Sequence, residues 1–309
     1  MKRNIDKSCF YCGRGSLDIC RNDCFRNRKI YYLRKKFTKS IRNLIINFLN
    51  KRKFEVKHVS WKEEYTEFVD LENLIDSLKP MSIQTSFVRI GSGEDGGYIV
   101  PNIFDEVKVS NCFSPGVGEY SDFEIDLYEK YNIPSFLADN SIPHLPNPKE
   151  YLHFTKKHLG VVNNKTDLTL DSWVENKTDK DNTNLILQMD IDYSEYEVIL
   201  GTTSKTLNKF AILLIEFHRL QDLFLAKSFK FYKPTFEKLL QNHSVVHIHP
   251  NNNMPSKQIG NLIIPDTMEF TFLRNDLIKS SNKNLSFPHQ LDTPNNQQKK
   301  DVILPKCWY

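Results

Sequence analysis

No apolar run in the 309 residues approaches the roughly 18 that a membrane span requires, so an integral membrane protein is not expected. The basic start MKRNIDKSCFYCGRG lacks an apolar stretch behind it, which speaks against a secretory signal and for a cytoplasmic protein. Internal repeats and low-complexity tracts are missing, which excludes solenoid, collagen-like and wholly disordered classes. Cysteine is scarce through most of the chain, with only Cys112 and Cys307 beyond residue 24. What is there, 39% apolar residues with 21 Phe and 13 Tyr, suffices for a sizeable core in one α/β domain carrying an extension.

Charge and cysteine divide the chain at the same place. Residues 1–53 hold 16 Lys and Arg against 3 Asp and Glu, a balance of +13, while the remainder carries −9. A small basic, Cys-rich extension therefore precedes a mildly acidic body. Its first part, residues 1–25, contains Cys9, Cys12, Cys20 and Cys24. The spacing C-x2-C-x7-C-x3-C offers four thiolates to one tetrahedral zinc; a redox pair and unligated thiols in a leader are the other readings. Four ligands so close together would fold a segment too short to bury a core.

The second part, residues 26–58, sets Ile41, Leu44, Ile45 and Leu49 at helical spacing between basic clusters at 34–36 and 51–53. Such a helix suits an anionic membrane surface or a nucleic acid through residues 26–54, which would make the protein peripheral to a membrane, or equally a solvated linker docked on the body. No RNP-like pattern of aromatics and glycines accompanies it, so a dedicated RNA-binding fold gains no support.

The body, residues 59–280, alternates strand and helix patterns. WKEEYTEFVDLENLIDSLKP reads as an amphipathic helix stopped before Pro80, and FVRIGSGEDGGYIVPN as a β-hairpin whose Asp95 and Tyr98 stand where they can close over a pocket. VKVSNCF (107–113) reads as a strand, SPGVGEYS as a turn, DFEIDLYEKYN as a helix, and PSFLADNS as a second strand ending in Asp139. Strand, glycine turn, helix, strand and a carboxylate 21 residues beyond Gly118 is the layout of a nucleoside-binding βαβ unit. A pyrophosphate loop calls for a third glycine, where this chain has Ser121, and Glu119 puts negative charge where phosphate would sit. The pattern therefore favours a ribose-bearing ligand without pyrophosphate, namely S-adenosylmethionine.

Further along, NLILQMDID (184–192) and AILLIEFH (211–218) read as buried strands, YSEYEVILGTTSKTLNKF and YKPTFEKLLQNH as helices, and SVVHIHPNN and TMEFTFLRN as strands. Alternation of this kind predicts a mainly parallel sheet with its site at the strands' C-terminal ends, where Gly116, Gly118, Asp139, Asp190, Asp192, Glu216 and His218 all fall. The remainder, 281–309, reads as an extended polar tail wrapped on the surface.

FSPGVGEYSDFE, TLDSWV, LQMDIDYSEYEVIL and LIEFHRL together resemble the FkbM-type family of S-adenosylmethionine-dependent methyltransferases, whose members often read close to LKIDIEGAEYEVL at the fourth strand. The likeness spans roughly residues 85–275. It implies a Rossmann-like methyltransferase fold with a mostly parallel seven-stranded sheet, the last strand antiparallel and helices on both faces. It also implies methyl transfer to a hydroxyl of a sugar, glycan or secondary metabolite. This chain departs from the pattern at Asp192-Tyr193, where the family keeps Glu-Gly.

The sulfonium of the cofactor already supplies a good leaving group, so the protein has to align the acceptor oxygen and take its proton. Candidates for that work are His218, Asp192 and Asp190, with a cofactor set of Ser114, Gly116, Gly118, Glu119, Asp139 and Asp190. Tyr193, Glu216, His249, Asn251 and Asn252 are the candidate acceptor contacts. His247 and His249, alternating onto one strand face, could join Asp192, Glu216 or His218 around a divalent cation. Two other classes stay open: a nucleotide-sugar or NAD-dependent enzyme on the same sheet, and a degenerate methyltransferase fold serving as a binding module. A base-amine RNA methyltransferase is a weaker option, because Ile191, Asp192 and Tyr193 follow Asp190 where an Asn/Asp-Pro-Pro-aromatic signature would stand.

Overall fold

The computed structural model describes residues 64–118, 120–179 and 184–309. The expectations for Cys9, Cys12, Cys20 and Cys24, for the basic stretch 26–58 and for Glu119 lie outside the described residues. In chain order the elements are α1 (Phe68–Ser77), the hairpin β1 (Phe87–Gly91) and β2 (Gly97–Pro101), β3 (Asn111–Pro115), α2 (Asp122–Tyr131), β4 (Ser135–Ala138) and β5 (Leu152–Thr155). There follow β6 (His158–Gly160), β7 (Asp167–Thr169), α3 (Leu170–Lys177), β8 (Leu185–Met189), α4 (Glu195–Gly201), α5 (Ser204–Leu207) and β9 (Phe210–Phe217). The run closes with α6 (Ala226–Leu240), β10 (His243–Pro250), the small pair β11 (Lys257–Ile259) and β12 (Leu262–Ile264), and β13 (Met268–Arg274).

Seven strands form one sheet in the order β10-β13-β9-β8-β3-β4-β5. β9, β8, β3, β4 and β5 run parallel, and β13, the last strand, is antiparallel to both β9 and β10. This is the Rossmann-like methyltransferase sheet that the sequence led us to expect. β8 and β9 are buried along their whole length and apolar except for Gln188 and Glu216 near their C-terminal ends, as strands covered on both faces are. Alternation along them splits the core into two layers. Ile186, Ile212 and Leu214 pack with Phe123 and Leu127 of α2 and with the hairpin, while Leu187, Leu213 and Ile215 join Trp173 of α3, Tyr196 of α4 and Phe236 of α6. Strand order reverses between β3 and β8, and a crevice opens there at the C-terminal ends.

Five segments differ from the sequence reading, and the opening helix is one: it starts at Phe68, because Tyr65 bridges to Leu225 instead. The first sheet strand starts at Asn111 instead of residue 107, because Val107 is held in a turn by its N–H donating to Ile103 O at 2.8 Å. The helix expected after β8 is two short ones, broken at Thr202 and Thr203, where Thr203 caps α5 and the Asp171 carboxylate takes its N–H and hydroxyl. Helix α6 begins at Ala226 and runs through Pro234, so burial of Phe229 and Phe236 outweighs the ~3 kcal/mol cost of an interior proline.

The C-terminal tail runs extended over the surface for most of its length, but its end does not. Trp308 and Leu304 are buried in the core beside Phe270, and the Trp308 indole N–H donates to Ile263 O at 3.0 Å. Among the described residues no helix is long and apolar enough to cross a membrane.

Candidate active site

A cavity of about 770 Å³ lies at the crevice, bounded by the hairpin tip, the glycine turn after β3, the first turn of α2 and the residues just past β8. Gly116 sits at φ +85°, and a Cβ there would come within 1.6 Å of the Asp190 carbonyl oxygen. The glycine therefore lets two strand ends meet at the cavity floor. Gly118, at φ +59°, has open space around it. Its N–H donates to Asp139 Oδ2 at 3.0 Å, and Asp139 Oδ1 accepts from Ser141 N at 2.6 Å. Asp139 thus ties the glycine turn to the end of β4 and is not among the residues that line the cavity.

Ser114, fully buried, touches both Glu124 Oε1 and Gln188 Oε1 with its hydroxyl. One hydroxyl proton serves only one of these acceptors. Burial pushes Glu124 up to about 7, so its carboxyl can supply the second proton. Gln188 Nε2 donates in turn to Tyr98 OH at 3.0 Å, completing a polar chain under the cavity from α2 to the hairpin. Five carboxylates, Glu94, Asp95, Asp122, Glu124 and Asp190, line the cavity, and among the described residues no lysine or arginine does.

The second group stands around His218, just past β9. Its Nδ1–H donates to Glu195 Oε1 at 2.9 Å. Its Nε2 faces Glu216 Oε1 at 3.4 Å, Asp190 Oδ1 at 3.8 Å and Asp192 Oδ1 at 3.9 Å. Burial works against a charge on this ring, but the Glu195 hydrogen bond and the surrounding carboxylates overcome it and lift His218 to about 10. Burial raises Asp190 to about 7, with Asp192 and Glu195 adding to it and His218 opposing, and burial beside Asp190 also raises Glu216. With no ion bound the surrounding carboxylates favour the charged form of His218, which makes it a poor proton acceptor and leaves the carboxylates around Nε2 as the better candidates for that role.

Asp192 and Tyr193 adopt left-handed backbone, φ +48° and +80°. Glu195 holds this turn by accepting from Ile191 N at 3.3 Å and Tyr193 N at 3.2 Å. Strain of this kind, of order 1–3 kcal/mol per residue, persists where surrounding structure enforces it. The Tyr193 ring is 40% exposed and meets His218 edge-on, ring centroids 5.2 Å apart.

Of the remaining candidates, Asn251 joins the group by donating to Glu216 Oε1 at 3.2 Å. His249 and Asn252 do not. His247 and His249 do share a strand face, but what they meet is Asp292 of the tail, at 2.9 and 3.7 Å, instead of Asp192, Glu216 or His218. Asn252 donates to Asn296 O and stitches the same tail in place. The tail thus takes up His247, His249 and Asn252, one part of the set foreseen for acceptor and cation, and its Asn295 donates to Glu269 at 2.7 Å and to Asp95 at 3.1 Å. Sequence reasoning missed Glu195, Glu124, Gln188 and Glu269. A signal existed for Glu195, an acid opening α4 two residues beyond Tyr193 and able to reach back to the turn's N–H groups; for Glu269, opposite His249 on a neighbouring strand, there was none.

A family model described as Methyltransferase FkbM domain matches residues 52–242. Among solved structures, a candidate RNA methyltransferase from Pyrococcus horikoshii aligns with TM-score 0.30 and 10% identity over 68% of this chain and 98% of that one. A SAM dependent methyltransferase from Archaeoglobus fulgidus aligns with TM-score 0.30 and 10% identity over 54% and 87%. A bacterial Hen1 methyltransferase domain gives TM-score 0.30 and 11% identity over 55% and 93%. No curated protein matches. Structural likeness at this level carries no argument about the reaction.

Proposed function

The chain belongs to the FkbM methyltransferase family, and from that premise we propose that it is an S-adenosylmethionine-dependent O-methyltransferase acting on a hydroxyl of a sugar or glycan. The observation that carries the cofactor reading is the composition of the cavity: a glycine turn at the strand switch, five acidic side chains and no cationic one among the described residues. A ligand bearing a sulfonium and an ammonium suits such walls, and the pyrophosphate of a nicotinamide or sugar nucleotide does not. Gly116, Gly118 and Asp190 would hold it, over the floor made by Ser114, Glu124 and Gln188. When bound, the cofactor supplies a methyl group on a sulfonium that leaves as a neutral thioether.

What supports a hydroxyl acceptor is the arrangement beside that cavity. Asp190 lines the cavity and Asp192 stands beside His218, two acidic groups able to receive a hydroxyl proton; Asn251 and Glu216 pair with one another nearby, and the exposed Tyr193 ring offers a flat apolar face of the kind that stacks on sugars. Glu195 keeps the His218 ring fixed behind them.

Calorimetric titration of S-adenosylmethionine and NAD into the full chain, followed by transfer of a labelled methyl group to a panel of glycosides and amines, tests the reading. Micromolar binding of the sulfur nucleoside with label in base-stable ethers is expected. Binding of NAD instead, or label only on nitrogen, would overturn it.

A further inference from the structure

We propose that Asp190, Glu216 and His218 bind one divalent cation at the ends of β8 and β9. One donor atom from each lies within 4.8 Å of the other two. The separations decide between two readings of the cluster. Glu216 Oε1 and Asp190 Oδ1 stand 3.4 and 3.8 Å from His218 Nε2, too long for hydrogen bonds of the usual 2.7–3.2 Å. Two ligands that each lie about 2.1 Å from a shared ion sit roughly 3 to 4 Å apart, and these distances fall in that range.

The imidazole is also presented as a metal ligand is. Its Nδ1–H is taken by the buried Glu195 carboxylate, which leaves Nε2 turned toward the carboxylates, where a bound ion takes the place of the Nε2 proton; an outer carboxylate fixes the tautomer of a ligating histidine in this way. An independent observation comes from Glu216. Its side chain is 5% exposed, Oε1 accepts from Asn251, and Oε2 has no hydrogen-bond partner. A buried carboxylate oxygen without a partner is costly, and a cation removes that cost. His247, hydrogen-bonded to Asp292 at 2.9 Å, and His249, 3.7 Å from the same carboxylate and without a hydrogen bond on either ring nitrogen, are not part of this donor set.

Two carboxylates and one imidazole suit a hard or borderline ion such as Mn²⁺, Mg²⁺ or Zn²⁺ and neutralise its charge. Three protein ligands leave positions open on the side where Asp190 lines the cavity. An acceptor hydroxyl there would give up its proton to a neighbouring carboxylate more readily, because the ion stabilises the alkoxide that forms. That role rests on the O-methyl transfer reading; the binding of the ion does not.

The probe is Mn²⁺ titrated into the full chain without cofactor, with free ion read by electron paramagnetic resonance; a hard ion keeps the four N-terminal thiols out of the measurement. One ion is expected per chain, with echo modulation from a coordinated imidazole nitrogen in the wild-type protein, a readout that needs no variant. Glu216→Gln and His218→Asn should weaken binding at least tenfold, and Glu195→Gln roughly 10- to 100-fold through the loss of orientation. Thermal melts show whether each variant is folded. A second set, Asp95, Glu216 and Glu269, lies close by. If Glu269→Gln removes binding while His218→Asn leaves it, the assignment is wrong. Failure of the wild-type chain to bind Mn²⁺ at millimolar concentration, or an imidazole-free echo signal, also overturns it. S-adenosylmethionine binding, measured separately on the metal-free chain, keeps this outcome distinct from failure of the methyltransferase reading.

Discussion

Gly116 and Tyr193 occupy the two positions where a single Cβ decides most. At Gly116 any side chain would run into the Asp190 carbonyl oxygen, in backbone that L-residues seldom adopt. Gly116→Ala should therefore destabilise the protein by at least about 2 kcal/mol and weaken cofactor binding together with it, as urea unfolding and calorimetry would show. Tyr193 is the opposite case, a large residue at φ +80° where the family keeps glycine. Tyr193→Gly should relieve the backbone and raise unfolding stability by up to about 1 kcal/mol. The same change should cut methyl transfer, because the ring beside His218 is lost. A variant less stable than wild type would show that the ring's packing outweighs the backbone strain. Neither effect needs a change elsewhere in the fold.

Among elements, the tail departs furthest from its sequence pattern. HQLDTPNNQQKKDVILPKCWY is polar and without period, yet its last turn fills a hole in the core with Trp308 and its Asp292 and Asn295 reach β10, β13 and the hairpin tip. Trp308→Ala should cost about 3 to 5 kcal/mol, the range for emptying a buried aromatic site, with the midpoint of chemical denaturation as the measurement. A cost below 1 kcal/mol would return the tail to the surface. Helix α6 shows the same override on a smaller scale. Pro234 marks a plausible start near residue 232, and only the apolar face presented to the sheet tells that the helix begins a turn and a half earlier.

At the scale of the whole molecule, stability should depend on pH through His243, which joins β10 to β9 by donating from Nε2 to Phe210 O at 2.9 Å. Burial lowers this histidine from 6.5 to about 4. Between those values the unfolded chain binds a proton that the folded chain refuses, so stability is complete above pH 6.5 and falls as pH drops toward 4. The loss is about 3 kcal/mol by pH 4. Denaturant unfolding of wild type and His243→Gln across that interval should show the difference between the two curves closing as pH falls. A difference independent of pH would mean that His243 is protonated in the fold.

The alternation of apolar runs, helix faces and glycine turns was sufficient to predict a mainly parallel sheet, its reversed last strand through the family resemblance, and the strand ends at which the polar side chains gather. These are local properties: period, turn residues and a carboxylate after a strand are written within a few residues of one another. Asp190, Asp192, Glu216 and His218 were legible for that reason. Tertiary structure alone decided which of them meet, that Glu195 holds His218, that Asp139 ties down a turn, and that His247 and His249 face Asp292 instead of the site. Those partners lie tens of residues apart in the chain, where no periodicity links them. What joins them is the order of strands in the sheet and the path of the tail across it, which only the packing of the folded chain determines.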